Sequence, residues 1–271
     1  MFALLAFSSW TVMADGFKGR FPAQALQVAF GLEDNGEFNS MRTGTCFITT
    51  DYHFEQFNNG VCLHQESEKS NYLLLGDSHS AMLWFALATS MRGANVMQAS
   101  TAACEPSLYP YGSIDCKKMM KYIFQSYLPS HPVQGLFVVG RWEQRDLAGL
   151  TTVIDWARQH HVRATVFGPV PEYDGPLPRL LAYSIAWHRP SLASHHLVSS
   201  LEALDAEMQS MAKNIWHVPY ISLYREICNA EGCAEFADRA HSIPMMGDAN
   251  HLSLVGSELV VRRLVEKGEL P

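Results

Sequence analysis

The chain has 271 residues, with 20 basic and 27 acidic side chains and a formal net charge of −7. That length fits one large α/β domain or two small ones, and an apolar fraction of 48% is enough to fill a core of that size. The acidic balance and the lack of any basic run exclude a surface built to track nucleic-acid phosphates.

In chain order, residues 1–13 carry no charge and are mostly apolar. They are fewer than the roughly 20 needed to cross a bilayer. The segment, drawn as residues 1–15, reads as a signal-peptide core or as the end of a transmembrane helix. Both readings place the rest of the chain outside the cytoplasm. Residues 16–71 are irregular and read as a linker and a disulfide-tied lead-in.

From residue 72 to 271, short apolar runs alternate with stretches of helical period. This is the pattern of a three-layer α/β/α domain, flavodoxin-like, with about five parallel strands. The strands are expected at 72–76, 95–98, 135–139, 163–167 and 217–221. Between the last two, residues 192–214 predict a helix. Leu197, Leu201, Leu204, Met208, Met211 and Ile215 form its buried stripe. A final helix is expected over 253–267. Residues 169–190 carry five prolines and several aromatics, and so predict either a substrate-facing lid or an ordinary surface insertion.

Six cysteines allow fifteen pairings. Local pairing is expected, as Cys46–Cys62, Cys104–Cys116 and Cys228–Cys233, because each pair brackets a loop-like stretch. No pair has the C-x-x-C spacing of a zinc ribbon or thioredoxin site. The cysteines therefore point to an oxidising compartment. The adjacent pairs His160-His161 and His195-His196 point their rings apart on a helix, so no metal site is expected.

Two short segments carry the chemistry. In Gly76-Asp77-Ser78-His79, an apolar strand ends in a tight turn and a helix starts just after Ser78. A serine placed there exposes its hydroxyl, and its N–H lies at a helix N-terminus where it can stabilise a developing oxyanion. Gly76 and Asp77 are read as supporting that turn. Near the C-terminus, Asp248 and His251 stand three residues apart. An imidazole can take the serine proton, and a carboxylate can fix its tautomer.

Together, G-D-S after the first strand and D-x-x-H before the last helix resemble the SGNH (GDSL-like) hydrolase superfamily. The flanking cysteine pairs and the early Asp15-Gly16-Phe17-Lys18-Gly19-Arg20-Phe21-Pro22 sharpen the likeness. They resemble the SGNH domain fused to membrane acyltransferases of family 3. The resemblance implies a triad of Ser78, Asp248 and His251 and a catalytic domain over 72–271. It implies O-acetylation of a cell-surface polysaccharide, such as lipopolysaccharide O-antigen, at the periplasmic face of the bacterial inner membrane. The partner would be a family 3 membrane domain. No cofactor would be bound, and the acetyl group would come ultimately from acetyl-CoA. A secreted carbohydrate acetylesterase and a non-catalytic glycan-binding domain are the alternatives.

Two elements of the family's oxyanion hole are missing. The segment after the second strand, Gln98-Ala99-Ser100-Thr101-Ala102-Ala103-Cys104, lacks the expected glycine. Trp142 stands where an asparagine is expected. Arg141 and Trp142 are the side-chain donors nearest that position. For Arg141 the competing expectation is an ion pair with Glu143 or Asp146.

Overall fold

The computed structural model describes residues 15–31 and 37–270. The apolar segment 1–13 lies outside the described residues. Six parallel strands form one sheet: β1 (Phe47–Ile48), β2 (Ser70–Gly76), β3 (Ala94–Thr101), β4 (Gly135–Val139), β5 (Arg163–Phe167) and β6 (Tyr220–Ile221). Their order is β1-β3-β2-β4-β5-β6. A small antiparallel pair, Cys228–Asn229 with Gly232–Cys233, stands apart. The helices flanking the sheet are α1 (Ala23–Phe30), α2 (Ser78–Ser90), α3 (Ile114–Tyr122), α4 (Leu147–Gln159), α5 (Leu177–Ala186), α6 (Ser200–Met211) and α7 (Leu254–Glu266).

The predicted α/β/α architecture holds, with a sixth strand that the periodicity does not reveal. β1 is only two residues long and pairs with the far end of β3, Phe47 against Ser100 and Ile48 against Thr101. Two residues cannot display an alternating pattern, so no periodicity marks them. The last strand is also shorter than expected, Tyr220–Ile221 in place of 217–221. His217 adopts a left-handed backbone (φ 56°) and ends the preceding helical turn. It therefore cannot begin a strand.

The central strands are buried on both faces. Leu73, Leu74 and Leu75 of β2, and Leu136, Phe137, Val138 and Val139 of β4, are all at most 1% exposed. This is why they read as continuous apolar runs rather than alternating ones. The predicted helix over 192–214 divides. Residues 193–196 form one turn, α6 runs from Ser200 to Met211, and Ala212–Trp216 winds wider, with π-type spacing. Leu201, Leu204 and Met208 face the core as expected, but Ile215 is 57% exposed. The wider winding rotates Ile215 outward and buries Ala212 and Trp216 in its place.

Strand order positions the site. β2 has β3 on one side and β4 on the other, so the loops leaving β3 and β4 diverge around the end of β2. In open parallel sheets this switch point is where a crevice forms at the strand C-termini. The turn after β2 carries Ser78.

Candidate active site

Gly76 closes β2 because nothing larger fits. A Cβ at Gly76 would sit 1.7 Å from the Val139 carbonyl oxygen. Gly76→Ala must therefore push β2 and β4 apart. The expected cost is about 1–3 kcal/mol or more, read as a lowered denaturation midpoint together with loss of ester turnover.

Asp77 caps α2, its Oδ1 accepting the His79 N–H at 2.8 Å. Its Oδ2 accepts the Arg141 N–H at 2.8 Å, which ties the nucleophile turn to the loop after β4. Burial raises the Asp77 carboxyl to about 6, against the pull of these two N–H donors. The Asp77 carbonyl also accepts the Ser80 hydroxyl, which in turn lies 2.7 Å from the Ser100 hydroxyl of β3. The turn is thus held from the strands on both sides.

The second segment is fixed by packing against the first. α7 packs along α2. The Leu252 N–H donates to the Met82 sulfur of α2 at 3.2 Å. Ser253 caps α7, its Oγ accepting from the Gly256 N–H at 3.0 Å. Just before this cap, Asp248 Oδ1 accepts the N–H groups of Asn250 and His251, both at 2.8 Å. The proline-rich segment braces this turn. The Tyr173 N–H donates to the Ala249 carbonyl and the Leu177 N–H to the Asp248 carbonyl. Residues 169–173 are buried and α5 follows directly. Residues 169–177 are therefore a packed buttress under the Asp248 turn.

The structure brings Ser78, His251 and Asp248 together. His251 Nε2 lies 2.7 Å from Ser78 Oγ, and its Nδ1 lies 2.7 Å from Asp248 Oδ2. Burial disfavours the charged imidazole. The hydrogen bond and charge of Asp248, with the charge of Asp77 behind, outweigh it and raise the pKa of His251. Burial would also lift Asp248. The His251 bond and charge and the two backbone donors hold it down at about 2. His79, next to Ser78 in sequence, is 1% exposed, so it cannot contact substrate. Its ring stands edge-on to His251 at 5.2 Å between centroids. Burial, then the charge of His251, keeps it well below the ordinary histidine value and therefore neutral.

Ser78 and His251 open into a cleft of about 270 Å³, also lined by Ala103, Glu105, Tyr111 and Arg141. Trp142 does not supply the donor that its position in the sequence predicts. It is 2% exposed, and its indole N–H donates to the Phe167 carbonyl at 2.7 Å. Arg141 reaches the cleft, but its guanidinium donates to both carboxylate oxygens of Glu172, at 2.9 and 2.7 Å. That pairing replaces the one expected with Glu143 or Asp146; Glu143 pairs instead with Arg145.

The feature missed in the sequence is Ala103. It has φ +49°, the left-handed conformation that normally calls for glycine. Among the described residues, neither the Ala103 N–H nor the Ser78 N–H has an acceptor. Both residues line the cleft. All three local cysteine pairs are disulfides. Cys104–Cys116 anchors the residue directly after Ala103. Among the described residues, no helix is long and apolar enough to cross a membrane.

The chain superimposes on the periplasmic domain of the lipopolysaccharide acetyltransferase of Salmonella ser. Paratyphi A with a TM-score of 0.69 and 16% identity, over 88% of this chain and 96% of that one. Est24, a carbohydrate acetylesterase from Sinorhizobium meliloti, gives 0.49 and 13%, over 74% and 98%. The aryl esterase of M. smegmatis gives 0.47 and 12%, over 73% and 98%. No curated protein matches the sequence. The model of the SGNH domain fused to AT3 domains matches residues 45–266. The chain belongs to that family and is a serine-type acyltransferase or esterase of the SGNH kind.

Proposed function

We propose that the chain transfers an acyl group, acetyl in the first instance, to a hydroxyl of a cell-surface polysaccharide through an ester on Ser78. The observation that carries this reading is the relay of two 2.7 Å contacts from Ser78 through His251 to Asp248 at the base of an open cleft. His251 Nε2 takes the Ser78 proton as Oγ bonds to the donor's carbonyl carbon. The N–H groups of Ser78 and Ala103 hold the resulting oxyanion. Collapse breaks the bond to the donor, whose leaving oxygen receives the proton from His251. A sugar hydroxyl then attacks the acyl carbon and gives its proton to His251; the bond from the acyl carbon to Ser78 Oγ breaks as His251 passes that proton to Oγ. None of these steps calls for a metal or a redox cofactor.

The family's fusion to AT3 domains supports a membrane acyltransferase domain as the donor's source, with acetyl-CoA as the ultimate supply. It also supports the periplasmic face of the inner membrane as the place of action. Likeness in fold to an acetyltransferase's periplasmic domain points the same way. The test is capture. With an activated acetyl ester as donor and a panel of oligosaccharides present, mass spectrometry is expected to find acetyl groups on sugar. If the ester is consumed and only free acetate forms with every acceptor, the chain is an acetylesterase.

A further inference from the structure

Two cavities meet at the loop that leaves β4. One, of about 270 Å³, holds Ser78 and His251. The other, of about 390 Å³, lies between that loop and α6. Arg141, Trp142 and Glu143 line both, so the cavities are adjoining halves of one groove. A chain acceptor with one hydroxyl at Ser78 has its next sugars at the second half. The floor there is apolar, with Val198, Leu201 and Leu204, and suits the CH faces of a sugar ring. Its rim is polar. Gln144 donates to Glu207 at 2.8 Å, which leaves the Gln144 carbonyl and the second Glu207 oxygen to accept from sugar hydroxyls.

The charge along the groove is one-sided. Six carboxylates, those of Asp77, Glu105, Glu143, Asp146, Glu172 and Glu207, stand against the guanidiniums of Arg141 and Arg145. Both guanidiniums are already engaged. Arg141 donates two hydrogen bonds to Glu172, and Arg145 Nε lies 2.9 Å from Glu143. No lysine is among the residues lining either half. A sugar chain bearing carboxylates would bring like charge against this lining without a free cation to receive it. Such juxtaposition is how interfaces reject wrong partners.

We propose that the half-groove rimmed by Gln144 and Glu207 is a subsite for the sugars flanking the acetylated one, and that it selects uncharged chains over those carrying carboxylates. The proposal rests on the transferase reading, which supplies the polymeric acceptor.

Binding separates the two claims. Ser78→Ala protein, which cannot turn over, is titrated with a panel of neutral hexose tetrasaccharides and with tetragalacturonate while backbone amide shifts are monitored by NMR. A neutral chain is expected to move the amides of Gln144, Ser200 and Glu207. Tetragalacturonate is expected to bind about ten-fold more weakly at low salt, with the gap closing in about 0.5 M salt. The gap should also narrow in the protein carrying Glu143→Gln and Glu207→Gln. Shifts elsewhere, no binding of any neutral chain at millimolar concentration, or uronate binding equally well would each overturn the subsite. If a neutral chain binds at these amides and wild-type protein never acetylates it, the transferase reading falls and the subsite stands. If acetylation proceeds with the amides unmoved, the reverse holds.

Discussion

Ser78→Ala is expected to lower turnover of an activated acetyl ester by roughly 10⁴–10⁶-fold, because a nucleophile and its base act as one unit. His251→Ala should cost about as much, and the double variant little more than either alone. That non-additivity is what distinguishes a shared proton relay from two independent contacts. Neither change should unfold the protein. Ser78 is partly exposed, and among the described residues its hydroxyl meets only His251. The Ser78→Ala melting midpoint should stay close to wild type, as for most substitutions away from buried features. Spectrophotometric ester hydrolysis and a thermal melt on the same samples check both statements. Equal turnover in Ser78→Ala and wild type would remove Ser78 as nucleophile.

The second large effect belongs to Asp248. In wild type, kcat/KM should rise with pH along an acid limb whose midpoint lies above the ordinary histidine value of 6.5. The base must be neutral to take the Ser78 proton, and Asp248 with Asp77 favours its protonated form. The sign is therefore loss of activity as pH falls through the raised pKa. Asp248→Asn removes the stronger of these two influences. The midpoint should move to lower pH, while kcat drops by about 10⁴-fold because the imidazole loses its orienting carboxylate. A pH–rate profile of both proteins checks both parts. An unmoved midpoint would mean that Asp248 does not govern His251.

The proximity of Ser78, Asp248 and His251 was legible in the sequence because each half of the arrangement lies in a compact motif. Ser78, Asp248 and His251 sit in two compact motifs: a glycine-tight turn after a strand, and a turn just before a capped helix. Their meeting across the chain comes from α2 packing on α7, which the α/β/α pattern implies. The oxyanion side was not legible, because its determinant is a backbone angle. Ala103 has the sequence of an ordinary small residue and the conformation of a glycine. Trp142 misled for a different reason. Its place after β4 puts the residue beside the site, while burial turns the indole toward the Phe167 carbonyl. Ile215 failed because a helical period of 3.6 was carried through a turn that winds wider. β1 was too short to carry any period.

The Cys104–Cys116 bond fixes one wall of the cleft covalently. Ser78, Asp248 and His251 are positioned by glycine, caps and helix packing. The wall that carries Ala103 is tethered through the adjacent Cys104. The cleft wall and the Ser78–His251–Asp248 contacts are therefore held by different means, the one by a covalent tether and the other by hydrogen bonds and packing.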